Sequence, residues 1–161
     1  MDHLWSPWRM EYIREASAAG ADAGGGCVFC RLPGSEEADR ILATGALSYV
    51  VLNKFPYNPG HLLIVPLRHV GDVEELTDDE DAEMMSMLRR GVHALRDEAG
   101  PHGFNIGMNL GSVAGAGIPD HVHWHVVPRW SGDTNFMPVV GQTRVLPELL
   151  ADTARRLAPR F

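Results

Sequence analysis

His121-Val122-His123-Trp124-His125-Val126-Val127-Pro128 is the stretch on which the reading of this chain turns. Histidine takes every second position and apolar residues fill the gaps between them. A period of two predicts a β-strand, because successive side chains of a strand point to opposite faces. At roughly 3.3 Å per residue, neighbouring histidines on the polar face would stand about 7 Å apart. Val122, Trp124 and Val126 would supply the buried face. Imidazole is the side chain able to act as nucleophile, acid, base or metal ligand near neutral pH. The residues alone leave three readings of the triplet open. It is a set of hydrogen-bonded histidines without chemistry, a metal site, or a nucleophile with two supporting rings.

Working upstream, Gly111 to Gly117 holds three glycines in seven residues, a loop whose backbone N–H groups can approach a phosphate closely. Before it, Phe104 to Asn109 alternates and predicts a fourth strand. Thr77-Asp78-Asp79-Glu80 is a capping box, with Thr77 as N-cap and Glu80 three residues on. The helix it opens places Met84, Leu88, Val92, Leu95 and Ala99 on one stripe and stops at Gly100-Pro101. His93 falls just off the stripe and reads as solvated or capped. Earlier still, Arg40–Ala43, Leu47–Leu52 and His61–Pro66 read as strands, the last two joined by the turn-rich Phe55-Pro56-Tyr57-Asn58-Pro59-Gly60 as a hairpin. Downstream of the triplet, Arg129 to Pro138 is a polar loop. Leu146-Pro147-Glu148 opens a last helix, with Leu149, Leu150 and Leu157 on its apolar side.

Cys27-Val28-Phe29-Cys30 follows Gly24-Gly25-Gly26 and precedes Pro33-Gly34. A redox pair of thioredoxin type should follow a strand and open a helix, so a zinc knuckle fits better, with later histidines supplying two more ligands. An idle pair of small thiols is the plain alternative. The first tryptophans, Trp5 and Trp8, suit a clasp pinning the N-terminus to the body, or a pocket wall. Residues 14–26 drift into Ala and Gly as a flexible connection.

The chain of 161 residues has room for one domain with a real core. Its parts are an N-terminal extension over 1–26, a core over 27–130 and a C-terminal extension over 131–161. A net charge of −7 argues against a nucleic-acid backbone or an anionic membrane surface as partner. No apolar run approaches the roughly 18 residues of a membrane span. No basic-then-apolar leader opens the chain, so the cytoplasm is the expected compartment.

The triplet resembles the signature of the histidine triad (HIT) superfamily, His-x-His-x-His followed by two apolar residues. Leu52-Asn53 and Asn58-Pro59-Gly60-His61 resemble that family's nucleoside-cupping hairpin, and Asn109 with Gly111–Gly117 resembles its phosphate-side loop. The ends, with Trp5-Ser6-Pro7-Trp8-Arg9, Pro128-Arg129-Trp130 and Asp133-Thr134-Asn135-Phe136, look like the bacterial branch linked to diadenosine tetraphosphate breakdown. The resemblance implies an α+β, HIT-like fold. Its sheet is a five-stranded antiparallel meander, with a crossover helix, a C-terminal helix and a homodimer joined at sheet edges. It implies an enzyme cleaving dinucleoside polyphosphates or related purine nucleotides at the α-phosphate, through a nucleotidyl intermediate on His123. His125 would assist the phosphate or the leaving group.

Asn53, His61, Asn109, Gly115 and Gly117 would bind substrate. The resemblance further implies a structural zinc held by Cys27, Cys30, His69 and His121. Whether water or phosphate accepts the nucleotide stays open. So do a phosphoramidase acting on AMP linked through nitrogen and a non-catalytic nucleotide binder. A metallohydrolase using the triplet as its active metal site would need a free coordination position, which the cysteine pair argues against. One departure stands out. Many relatives carry a glutamine and a hydroxyl residue just before the triplet, where this chain has Ala116-Gly117-Ile118-Pro119-Asp120. Backbone N–H groups must then do more of the phosphate binding.

Overall fold

A computed structural model describes residues 26–133 and 148–161. The expectations for Trp5 and Trp8, for the connection before Gly26, and for Thr134 to Pro147 lie outside these residues.

Two strands form the centre. β2 (Ser48–Leu52) and β3 (Leu62–Pro66) are buried at every position. Continuous apolar sequence is what a strand covered on both faces requires. Val50, Leu52, Leu62 and Ile64 belong to one core cluster, and Tyr49, Val51, Leu63 and Val65 to another on the opposite side. The pair runs antiparallel from Ser48↔Pro66 to Leu52↔Leu62. The turn between them closes where Asn53 N–H donates to the His61 carbonyl at 2.9 Å and His61 N–H to the Asn58 carbonyl at 3.1 Å. Gly60 sits there at φ +77°, and a Cβ on it would come within 2.8 Å of the Leu95 side chain. Backbone conformation and space both demand glycine.

β1 (Ile41–Thr44) extends the sheet beside β2. After β3 the chain enters α2 (Asp78–Ala99), following the short α1 (Val28–Arg31) in chain order. The expected capping box is present at Thr77 and Glu80, and Gly100 ends the helix in the left-handed conformation. Met84, Leu88 and Leu95 are buried as the periodicity predicts, together with Met87, Gly91 and Ala94, while Val92 and Ala99 are only partly covered. The buried stripe is therefore rotated from the one expected. Gly91 explains the rotation, since a Cβ there would meet Leu62 at 2.9 Å. The helix lies closest to the sheet along its glycine. His93 is exposed and pairs with Asp97 at 3.1 Å.

The sheet is five-stranded and antiparallel in the order β1-β2-β3-β5-β4. The first three strands meander. The crossover helix then carries the chain past the neighbouring position to the outer edge, where β4 (Gly103–Gly107) lies, and β5 (Trp124–Arg129) enters between β3 and β4. The last two strands thus depart from a simple meander.

β5 also starts later than the sequence pattern suggests. Trp124 and His125 are in the strand, but His121 and His123 lie in the approach to it. Pairing of Leu62↔Val126 and Ile64↔Trp124 would set Pro66 opposite Val122 if continued. Proline has no N–H to give, and Val122 N–H donates instead to the Val70 carbonyl at 2.7 Å. The first two histidines are released from the strand and can turn to different tasks.

α3 (Leu150–Leu157) closes the described chain. It begins after Leu149 rather than at Pro147, which lies outside the described residues. Leu149 is exposed, while Ala154 and Leu157 are buried. No helix among the described residues is long and apolar enough to cross a membrane.

Candidate active site and metal cluster

Cys27 caps α1 and Cys30 lies within it, so the cysteine pair does open a helix, though one of only four residues. That turn is fastened to the sheet by the Tyr49 hydroxyl, which donates to the Phe29 carbonyl at 2.9 Å. His69 stands just beyond the end of β3, and His121 approaches from the other side. Cys27 Sγ lies 3.2 Å from His121 Nδ1, and Cys30 Sγ lies 3.4 Å from His69 Nδ1 and 3.6 Å from His121 Nδ1. The ligand atoms of Cys27, Cys30, His69 and His121 all fall within 4.8 Å of one another.

The chemistry of this donor set suits a cation. The Pro66 carbonyl can only accept, so the buried His121 ring donates its Nε2–H there at 2.9 Å. Nδ1 then faces the sulfurs, presenting either a lone pair or a proton shared with Cys27. Burial would push the Cys27 thiol up, but hydrogen bonds from His121 and from the Cys30 and Phe29 backbone, with the charge of His121, bring it down to about 6. The Cys30 thiol goes the other way, raised by burial and by the charge of Cys27. Two adjacent sulfurs cannot both ionise without a positive partner, and two thiolates with two imidazoles are a tetrahedral zinc-type set. The four residues can hold a metal ion.

The second histidine of the triplet is placed by the first. His123 donates its Nδ1–H to the His121 carbonyl at 2.8 Å. Its neutral ring therefore carries the lone pair on Nε2. The ring is 6% exposed, and Phe29 packs against it at 4.9 Å between centroids. Burial lowers its pKa, against the hydrogen bond to the His121 carbonyl, which raises it, while the positive charge of His121 lowers it further. The imidazole is thus held neutral, with one nitrogen fixed and the other available for attack.

The third histidine belongs to a different pair. His125 and His123 meet ring to ring at 4.8 Å. On its other side, His125 Nδ1 lies 3.0 Å from Nε2 of His61, which is fully buried. Tyr57 N–H donates to His61 Nδ1 at 3.1 Å. A backbone amide can only donate, so neutral His61 keeps its hydrogen on Nε2 and passes it toward His125 Nδ1. Neutral His125 then bears its own hydrogen on Nε2. A directed chain of donors runs from the turn through His61 to His125.

Asn53 is drawn into the same turn. Its Oδ1 accepts from Phe55 N–H at 3.1 Å, and its Nδ2 lies 3.3 Å from His61 Nδ1. Asn109, Gly115 and Gly117 sit in the connection between β4 and β5, where Ser112–Ala114 forms a single tight turn. Gly115 N–H donates to the Ser112 carbonyl and Ala116 N–H to the Gly111 carbonyl, so two of the loop amides are used internally. Among the described residues no hydrogen bond joins Asn109, Gly115 or Gly117 to His123. Two aromatics escaped sequence reasoning. Phe29 touches both His121 and His123, and Tyr57 lies against both His61 and His125. An aromatic inside the cysteine motif, and another in the turn before His61, were the available signals. A separate cavity of about 330 Å³ between α2, α3 and Trp130 includes none of these histidines.

Comparison with known proteins agrees with this geometry. Residues 35–132 match the HIT domain family. A Mycobacterium tuberculosis protein named AP-4-A phosphorylase is 44% identical over 165 residues, covering 100% of this chain and 85% of its own length. The adenosine 5'-monophosphoramidase hnt1 of Schizosaccharomyces pombe is 31% identical over 103 residues, covering 64% of this chain and 74% of its own. A zinc-bound histidine triad family protein from Mycobacterium smegmatis superimposes with a TM-score of 0.69 at 25% identity, over 84% of this chain and 92% of that one.

Proposed function

Because this chain belongs to the HIT domain family, we propose that it transfers the adenylyl group of a dinucleoside polyphosphate such as diadenosine tetraphosphate through a covalent intermediate on His123. The observation that carries the reading is the Nδ1–H of His123 donated to the His121 carbonyl, which leaves Nε2 as the nucleophilic atom. The Nε2 lone pair forms a bond to the α-phosphorus, and the bond from phosphorus to the bridging oxygen breaks. The leaving polyphosphate takes that electron pair. His125 Nε2–H lies on the donor chain from His61 and gives a hydrogen bond to the departing oxygen or to the phosphate, and the polyphosphate leaves as an anion without needing a proton. In the second half, an acceptor oxygen attacks phosphorus, the P–N bond breaks, and the imidazole is regenerated. Splitting one displacement into two easier ones is the gain of a covalent route.

The likeness to a protein named AP-4-A phosphorylase favours inorganic phosphate over water as acceptor. Asn53, His61, Asn109, Gly115 and Gly117 are proposed to bind the nucleotide, Gly115 by close backbone approach rather than by its own engaged N–H. Cys27, Cys30, His69 and His121 would hold a zinc ion that supplies no chemistry and braces α1 against the approach to β5. We assign residues 27–130 as the working core of a single domain and a homodimer as the assembly, formed at exposed sheet edges. A cytoplasmic protein acting on small nucleotides, without nucleic acid or membrane partners, agrees with the net charge of −7. The phosphoramidase reading is kept as the second, since a relative of that name is 31% identical.

One incubation tests the reading. With diadenosine tetraphosphate and phosphate, the expected products are ADP and ATP; without phosphate, AMP and ATP would mark water as acceptor. Absence of turnover under both conditions, with full turnover of an AMP–amine, would move the assignment to the phosphoramidase.

A further inference from the structure

Phe29 stands between Cys27 and Cys30 in the chain and against both His121 and His123 in space. Its ring centroid lies 5.4 Å from that of His121 at an interplanar angle of 78°, and 4.9 Å from that of His123 at 60°. Both Phe29 and His123 are 6% exposed. Among the described residues, the other ring within reach of His123 is His125, at 4.8 Å. The bond to the His121 carbonyl fixes the His123 tautomer, but it covers only the edge of the ring at Nδ1. Phe29 covers a flank. The turn that sets Phe29 there is too short to stand alone. α1 has four residues, and Cys27 at its N-cap makes no side-chain capping bond. A single helical turn is unstable in water without tertiary ties. On the sheet side the tie is the Tyr49 hydroxyl, which donates to the Phe29 carbonyl at 2.9 Å. On the other, the sulfurs flanking Phe29 lie 3.2 Å from His121 and 3.4 Å from His69. The ring is thus carried by the same two residues that offer sulfur to a metal.

We propose that Phe29 is the positioning residue through which the cysteine cluster acts on the nucleophile: its ring walls one flank of the His123 imidazole, and stays there because Cys27 and Cys30 are tied down on either side of it. The inference rests on the assignment of His123 as nucleophile. It extends the bracing role of the cluster from the turn to the reacting ring. Zinc at the four residues would join both neighbours of Phe29 to His121, two positions from His123. Without that tie the turn keeps the Tyr49 bond and its apolar packing, and the phenyl ring is able to withdraw. Water entering beside an imidazole loosens its orientation, whereas a nucleophile needs its lone pair aligned with phosphorus. Phe29 makes and breaks no bond itself. The cluster has one other path to His123, the His121 carbonyl, so removing the phenyl ring separates the two.

Carbethoxylation by diethylpyrocarbonate reads the wall directly, since the reagent attacks imidazole nitrogen and fragment-ion mass spectrometry locates each adduct. Zinc-loaded protein is compared with protein stripped by a chelator, at limiting reagent. Exposed His93 normalises the reagent, and fully buried His61 reports general opening. In the wild type, stripping should raise the His123 rate about fivefold, as opening of a weakly held segment does, while His61 stays slow. Phe29→Ala should show the raised rate with zinc bound, and stripping should change it less than about twofold further, the non-additivity of a shared path. Zinc-loaded Phe29→Ala should lose about tenfold in kcat on diadenosine tetraphosphate with KM within about twofold, as a misplaced nucleophile predicts. Phe29→Leu, which keeps an apolar wall, should stay near wild type in both measurements. Phe29→Val replaces Phe29→Ala if that variant fails to fold. An unchanged His123 rate on stripping the wild type, an equal rise on stripping Phe29→Ala, a His61 rate that climbs in step, or a loss confined to KM would overturn the proposal. His123→Ala is the control for the underlying assignment. If it kept turnover the nucleophile would be wrong, and the carbethoxylation rates would still decide whether Phe29 walls that ring.

Discussion

Three histidines at alternate positions end in three different environments, and the backbone decides which. His121 gives Nε2–H to a carbonyl and turns Nδ1 to the cysteines. His123 gives Nδ1–H to a carbonyl, which leaves the lone pair on Nε2. His125 accepts from a fourth histidine. Opposite tautomers two residues apart would let the proposed metal ligand and the proposed nucleophile coexist. His123→Ala is expected to abolish turnover, with a loss of at least about 10³-fold, as for removal of a covalent nucleophile. AMP binding should persist within a few fold, as isothermal titration would measure. Retained turnover would remove His123 from the mechanism. Much of this was legible in advance, because period and residue type named the histidines and the cysteine pair. The tautomers were not, since each depends on a carbonyl or an amide that only folding brings near.

Among the elements, α2 carries the clearest local signal and a test of it. Glu80 is buried, accepts from Thr77 N–H at 2.9 Å and pairs with Arg68 at 2.7 Å. The Arg68 pairing, with the Thr77 bonds and against the cost of burial, brings its carboxyl down to about 2. A depressed folded-state pKa stabilises fully above the ordinary carboxylate range and progressively less as pH falls through 4.5 toward about 2. Glu80→Gln should therefore cost about 1–2 kcal/mol at pH 7, given that Arg68 is half exposed. In denaturant melts, the gap between variant and wild type should close at low pH. A gap that held constant down to pH 2 would show that the ionised carboxylate is not the source.

The turn into β3 gives a second test. Gly60→Ala combines a left-handed backbone with a clash on Leu95, so a loss of about 1–3 kcal/mol is expected in thermal unfolding. Strands β2 and β3 were readable because apolar runs flanked by Pro and Gly leave few alternatives. The start of β5 was not, because Pro66 terminates its pairing from across the sheet. The apolar stripe of α2 was readable only approximately, because Gly91 invites closer contact than hydrophobicity alone would choose.

For the whole molecule, two clusters on opposite sides of one sheet divide the labour. The larger packs α2 and α3, while the smaller contains Phe29, Leu32 and Tyr49 and leans on the cysteine turn. If a metal fastens that turn, strong chelation should lower Tm by several degrees, corresponding to about 2–4 kcal/mol for a protein of this size. Cys27→Ala should reproduce the shift and be insensitive to chelator, with metal content followed by atomic absorption. Identical melting of treated and untreated protein, with metal shown to be removed, would deny the cluster any bracing role. The family, the antiparallel sheet and the crossover helix were all expected from sequence. The strand order was not, since nothing in a linear pattern says that the last strand goes inside.

That interior position has a consequence for how the protein comes into being. During synthesis, β1 to β3 can pair while the edge of β3 stays open and β4 has no partner, and both are joined only after residue 129 has left the ribosome. Pairings such as Leu62↔Val126 join residues far apart along the chain, the kind that slows folding. His123, the proposed nucleophile, lies just before the strand that closes this open edge. On the proposed mechanism, a chain truncated before residue 129 would be inert toward nucleotides, and reactivity would arrive only with completion of the sheet.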